Sequence, residues 1–249
     1  MKKYKFDAPL FRGVIRDRPN RFVMKVDVNG RITRCFCPCP TRIGSLSFKN
    51  IACLLSKNNG NNTEYTVEAI SLSVPGNKKQ NWIGINQTKI NSYIEHFFRT
   101  GQLKKIVKNI ETIQREYRLK RTRIDFLVNS ALVEVKTPLT NLPYKSHLQY
   151  KEYKRFISYQ RTVRHYKVLS DGLKRYDRAI MIHCFMYRAK TYQDIFNNIN
   201  EINKRKIVLN ATDKGVENWQ LNMRIDEKGV SLLNYFKLNK KVLIANHSM

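Results

Sequence analysis

Arg123-Ile124-Asp125-Phe126-Leu127-Val128-Asn129-Ser130-Ala131-Leu132-Val133-Glu134-Val135-Lys136 sets two apolar-rich runs on either side of Asn-Ser. Two short strand-like runs about a two-residue turn read as a hairpin. With Asn129-Ser130 as that turn, Asp125 lies opposite Glu134. Side chains alternate along a strand, so residues 123, 125 and 127 share one side with 132, 134 and 136. The other side carries Ile124, Phe126, Val128, Ala131, Val133 and Val135, all apolar. A slip of one residue would turn that whole set to solvent, so the pattern specifies the register.

The strand before it, Thr112 to Leu119, pairs in the same way about Lys120-Arg121, which puts Glu116 opposite Asp125. This turn lacks the Gly or Asn that tight turns favour, so its register is less firmly specified. The result is a row of carboxylates, Glu116, Asp125 and Glu134, beside a basic row, Arg118, Arg123 and Lys136. Like charges directly opposed are destabilising unless something neutralises them. A divalent cation would neutralise the acids, and a phosphate the bases. Hard carboxylate oxygens suit Mg2+ or Mn2+, which can activate water and polarise a phosphate. Lys136, two residues from Glu134 on the same side, can orient the attacking water or offset charge in the transition state. The residues therefore predict a metal-dependent nuclease with Asp125, Glu134 and Lys136 as catalytic residues and Asp125, Glu134 and Glu116 as metal ligands.

Outward from this hairpin, the chain divides in two. Residues 1–87 read as short strands at Leu10–Arg16, Phe22–Val28, Arg31–Cys37, Ile51–Ser56, Glu64–Leu72 and Trp82–Ile85, with Asn29-Gly30 as a strong hairpin turn. That spacing predicts a small OB-like barrel, a scaffold that binds single strands by stacking and charge. Its candidate contacts are Arg16, Arg18, Arg21, Phe22, Arg34, Phe36 and Arg42. Residues 88–249 change period. Ile90, Ile94, Phe97 and Phe98 predict a helix ending at Gly101, followed by helical turns over Leu103–Asn109. The three strands up to Lys136 come next, then a long helix over Ser146–Leu173, a buried strand at Arg178–Tyr187, a helix over 191–206, and a hairpin of Trp219–Ile225 with Val230–Phe236. The expectation is a two-domain α+β or α/β chain whose second domain is a mixed sheet.

Lys and Arg number 47 against 19 Asp and Glu, a formal net charge of +28. Such an excess calls for a polyanionic partner, and its spread along the chain fits nucleic acid better than a membrane surface. Single-stranded DNA is favoured, with RNA also open. No apolar run nears the roughly 20 residues of a membrane span, and the amino terminus lacks a signal-peptide core, which predicts a cytoplasmic protein without a membrane partner. Nothing in the chain specifies an oligomeric state. Cys35, Cys37 and Cys39 alternate on one strand face without a CxxC pair, so they read as buried free thiols; a zinc site there would need a fourth ligand.

These residues resemble the sugar fermentation stimulation protein (SfsA) family over most of the chain. The likeness rests on Arg18-Pro19-Asn20-Arg21-Phe22, the segment Cys37 to Gly44, Trp82-Ile83-Gly84-Ile85-Asn86 and Arg115-Glu116. It continues through Arg123-Ile124-Asp125-Phe126, Val133-Glu134-Val135-Lys136, Arg161 and Arg164-His165. The resemblance implies an amino-terminal OB-like domain and a PD-(D/E)xK nuclease-like second domain, with DNA binding and dependence on Mg2+ or Mn2+. It assigns Asp125 and Glu134 to metal and Lys136 to catalysis. The chain departs from the family at Cys37-Pro38-Cys39-Pro40-Thr41, and from the wider superfamily at Ile124, where a Pro is usual. His96 stands where a helix acid is expected, and Glu95 is rotated about 100° from it. Arg161 and Arg164 fall on one helix face and are candidate phosphate contacts, with His165 beside them.

Overall fold

The computed structural model describes residues 2–39, 43–44, 46–58, 62–73, 76–77, 80–119, 121–139, 142, 160–192 and 202–239. Its strands are β1 (Tyr4–Lys5), β2 (Phe11–Asn20), β3 (Val23–Val28), β4 (Arg31–Phe36), β5 (Ile51–Lys57), β6 (Tyr65–Ser71) and β7 (Trp82–Gly84), then β8 (Ile113–Leu119), β9 (Thr122–Val128), β10 (Ala131–Lys136), β11 (Arg178–Phe185), β12 (Glu217–Asp226) and β13 (Gly229–Lys237). The helices are α1 (Ile90–Arg99), α2 (Gln160–Gly172) and α3 (Ile202–Asp213).

Strands β2 to β6 close into a five-stranded barrel. β2 pairs with both β3 and β5, and a parallel pairing of β4 with β6 seals the seam. Alternation fills the interior: Ile15, Met24, Val26, Cys35, Cys53, Leu55 and Val67 are wholly buried. The expected β3–β4 turn is present, with Asn29 and Gly30 both at positive φ, 52° and 85°. Register irregularities in β2 at Ile15/Asp17 and Asp17/Asn20 bend this long strand around the barrel. All five cysteines are free and buried, which for Cys35, Cys37 and Cys39 is the expected state.

β7 extends the barrel sheet by pairing antiparallel with β6. The other seven strands form a second sheet in the order β1-β13-β12-β11-β10-β9-β8. The central three, β10, β11 and β12, run parallel, and the outer pairings are antiparallel. One face packs against α1 through Tyr93, Ile94, Phe97 and Phe98, with Phe98 edge-on to Phe126 at 6.3 Å between ring centroids. On the other, α2 lies against β10 and β11 and pairs with α3.

Several expectations need correction. β1 belongs to the second sheet, so the first residues of the expected 1–87 unit are not part of the barrel. Tyr4 pairs with Val230, and a Cβ on Gly229 (φ 155°) would stand 2.0 Å from the Tyr4 carbonyl oxygen, so only glycine admits the strand. Residues 103–109 form turns rather than a helix. Gly101 (φ 69°) and Asn109 (φ 47°) bound a segment too short to propagate, and burial of Leu103 and Ile106 fixes it. Of the helix expected over 146–173, Gln160–Gly172 is helical, 173 is not, and 146–159 lies outside the described residues. Of that expected over 191–206, Ile202–Asp213 is helical, 191–192 is not, and 193–201 lies outside the described residues.

The two units share their cores. The cluster that fills the barrel continues into Leu132, Tyr166, Met181 and Phe185 beneath α2. The Gly84 amide donates to the Met186 carbonyl at 3.2 Å, where a Cβ on residue 84 would strike the Met186 side chain. Among the described residues no helix is long and apolar enough to cross a membrane.

Candidate active site

Pairing of β9 with β10 follows the expected register from Val128–Ala131 through Leu127–Leu132 to Phe126–Val133, and there it stops. Instead of a backbone partner, the Val135 amide donates to Asp125 Oδ2 at 2.7 Å, while Asn91 Nδ2 on α1 donates to Oδ1 at 2.9 Å. Across from Asp125, Glu116 adopts left-handed φ (50°) and breaks the β8 ladder, although Arg115–Phe126 and Tyr117–Ile124 pair on either side of it. Such a bulge rolls the strand. Ile124, expected on the apolar face with Phe126, accordingly packs in the opposite cluster with Leu132.

Glu134 is 2% exposed in mid-β10. Its Oε1 accepts from Lys136 Nζ and from His165 Nδ1 on α2, while Oε2 is buried and has no hydrogen-bond partner among the described residues. Lys136 Nζ lies 3.4 Å from the same histidine nitrogen. A ring nitrogen facing a carboxylate carries its proton on that side, so His165 is bound as an Nδ1–H donor.

The two carboxyls are pushed apart. Burial raises Asp125, the neighbouring Glu134 charge raises it further, and the Val135 and Asn91 hydrogen bonds with the Lys136 charge offset only part of this. Burial would also raise Glu134, but the His165 hydrogen bond and the Lys136 cation outweigh it and hold this group below the usual carboxylate range. Glu134 is therefore a fixed anion and Asp125 the more readily protonated partner.

The structure brings Asp125, Glu134 and Lys136 together and leaves Glu116 out. Glu116 is exposed, and among the described residues no three His, Cys, Asp or Glu side chains are grouped to hold a metal. The strand roll removed the third acid that ideal alternation placed in the row. Glu95 is also diverted, binding Arg99 at 2.7 Å and Arg115 at 3.5 Å, and His96 packs edge-on to Tyr4. Arg118 and Arg123 pair in register and are exposed, as are Arg161 and Arg164 on the outer side of α2. In the barrel, Arg21 stacks on Phe22 at 4.9 Å, and Phe22 is 43% exposed. The Arg18 guanidinium donates to the Arg21 and Cys39 carbonyls and lies over Phe48, in a concavity that Lys49 also lines. Arg42 lies outside the described residues. Asn91 was not singled out for the site, and its contact spans helix to sheet without any local pattern. His165, expected beside Arg161 and Arg164, is buried while both arginines are exposed; its spacing from Arg161, four residues or about 40° past a full turn, does not by itself distinguish the two.

Residues 17–85 match the SfsA N-terminal OB domain, and residues 88–229 match the domain described as the sugar fermentation stimulation protein RE domain. The chain belongs to the SfsA family. It is 27% identical over 204 residues to the sugar fermentation stimulation protein homolog of Methylobacterium radiotolerans, covering 78% of this chain and 82% of that one. The Methanosphaera stadtmanae homolog is 32% identical over 130 residues, 48% of this chain and 51% of the relative. The structure of Pyrococcus furiosus SfsA in complex with Ca2+ superposes with a TM-score of 0.72 at 21% identity, covering 96% of this chain and 98% of that one, so the two share a fold.

Proposed function

We propose that this SfsA family member is a cytoplasmic, Mg2+- or Mn2+-dependent nuclease whose second domain is of the PD-(D/E)xK kind. The observation that carries the reading is the convergence of Asp125, Glu134 and Lys136, with Glu134 Oε2 buried and unpartnered. A buried lone carboxylate oxygen is costly unless something satisfies it. The residues fit a hard divalent ion, since Mg2+ commonly uses one or two carboxylates and keeps several waters. The solved Pyrococcus relative holds Ca2+, an ion with the same taste for oxygen donors. When bound, such an ion supplies Lewis-acid polarisation of the phosphate and a water of lowered pKa.

The chain's own residues do the positioning. Asn91 and the Val135 amide aim the Asp125 carboxylate, and His165 fixes the rotamer of Glu134. Lys136 keeps Glu134 ionised and places a cation where negative charge grows as the phosphate is attacked. The +28 charge and the exposed Arg21–Phe22 stack support a nucleic-acid substrate, with single-stranded DNA first among candidates. Purified protein is incubated with single- and double-stranded DNA and RNA, with Mn2+, Mg2+ or EDTA. Metal-dependent cleavage that Glu134→Gln abolishes is expected.

One observation favours a second reading, a nucleic-acid-binding regulator on a catalytically silent fold: Glu116 and Glu95 do not join the site. Binding without cleavage of any substrate in either metal would establish it over the nuclease.

A further inference from the structure

Away from the acid–lysine site, a cleft of about 780 Å3 opens between the barrel and the sheet. Gln80, Asn81 and Trp82 line it from the barrel side, and Arg188, Arg224, Asp226 and Glu227 from beyond β11 and along β12. None of Asp125, Glu134, Lys136 or their partners contributes to it. Its sheet side is the carboxyl edge of parallel strands β11 and β12, the edge at which open parallel sheets gather ligands.

Charge within the cleft is not balanced. Asp226 is bound by Lys3 at 2.5 and 2.6 Å, and Glu227 by Arg12 at 2.6 and 3.0 Å, so both acids are already paired. Arg188 and Arg224 are exposed and make no ion pair with any described residue. Two guanidiniums unpaired among the described residues and set in one concavity offer forked donors matched to phosphate oxygens. The aromatic lining does not offer a base platform: Trp82 and Tyr187 are 8% and 6% exposed, and Arg12 covers the Trp82 ring at 5.9 Å. The cleft supplies charge rather than stacking, and its volume far exceeds a single anion.

We propose that this interdomain cleft binds the sugar-phosphate backbone of a nucleic-acid strand, with Arg188 and Arg224 as its phosphate contacts. The proposal rests on the nucleic-acid reading above and adds a path for the strand outside both the barrel face and the acid–lysine site.

The test compares the full chain with Arg188→Ala/Arg224→Ala by fluorescence anisotropy on a labelled oligothymidylate over a KCl series without divalent metal. Thermal unfolding checks that the variant is folded, and Arg188→Lys/Arg224→Lys restores the charge. The alanine variant is expected to bind about tenfold more weakly near 0.1 M salt, with a log–log salt slope shallower by about 1.4, since each single-strand phosphate contact accounts for about 0.7. The lysine variant should recover most of the slope. Thymidine 5′-monophosphate should compete no better than inorganic phosphate; competition at the strand's own affinity would make the cleft a mononucleotide pocket and overturn the assignment. If wild type binds and the alanine variant matches it in affinity and slope, the cleft assignment alone is wrong. If wild type binds no strand, the nucleic-acid reading falls and this assignment falls with it.

Discussion

The two faces of the seven-stranded sheet are made of different material. Toward α1, Phe126, Val128, Val133, Val135, Ile180, Ile182, Leu221 and Met223 present an unbroken hydrocarbon surface. Toward α2, the same strands bury Glu134, His183, Asn218, Gln220 and Asn222. Each buried amide there is matched: Tyr166 donates to Asn218, Gln220 binds the Tyr192 amide and the Lys190 carbonyl, and Asn222 binds the Ala189 carbonyl. His183 is kept neutral, its pKa lowered by burial to about 3, and rests 3.3 Å from the Tyr166 hydroxyl. Hydrocarbon burial needs no partners, whereas every buried polar atom does. On the polar face, Glu134 Oε2 is the described buried side-chain atom left over. One face holds the sheet together, and the other holds side chains in fixed positions.

The comparison breaks most sharply if chemistry survives loss of that leftover anion. Glu134→Gln or Asp125→Asn should reduce cleavage by more than the 10–100-fold that loss of a supporting contact costs, with strand binding retained in an anisotropy assay. A correspondingly smaller loss, about 10–100-fold, is expected for Asn91→Ala, because Asp125 keeps its bond from the Val135 amide. On the hydrocarbon face, Phe126→Ala should lower stability by about 3–5 kcal/mol in urea unfolding. Asn218→Ala, on the polar face, leaves the buried Tyr166 hydroxyl without its acceptor and should cost about 1–3 kcal/mol. If the two stability losses come out reversed, the division between the faces is wrong.

The smallest effect concerns the barrel thiols. Burial pushes Cys35 up to about 12 and Cys37 up to about 11 from an ordinary value of 9.0. Folded-state values above the unfolded ones favour the protonated thiol. Their contribution is therefore complete below the unfolded value and is lost as pH rises from about 9 toward 11–12. An Ellman titration at pH 8 should detect no reactive Cys35 or Cys37 until denaturant is added, and unfolding midpoints should fall between pH 9 and 11.

Much of this was legible in the residues because alternation is a local rule. Ala131, Val133 and Val135 required one face, and the β9–β10 register followed. The barrel strands and the Asn29-Gly30 turn were likewise written in short-range pattern. What alternation could not supply was its own interruption. Left-handed Glu116 carries no sequence mark such as glycine, and it took both itself and Ile124 out of their expected places. Asn91 reaches Asp125 across 34 positions, and His165 reaches Glu134 from a different helix, contacts that only packing creates. Arg18 is a further case: its bond to the Cys39 carbonyl joins β2 to the chain beyond β4, and no local pattern announces it.

β1 has a consequence for the order in which the molecule can be assembled. Tyr4 and Lys5 are synthesised more than two hundred residues before their partners Val230 and Gly229. The barrel between them can close from neighbours in sequence, but β1 must wait through the synthesis of more than two hundred residues for its place on the edge of the sheet. Until then the sheet edge at β13 does not exist, and once it does, a tethered strand of the same chain is already at hand to cover it before another molecule can.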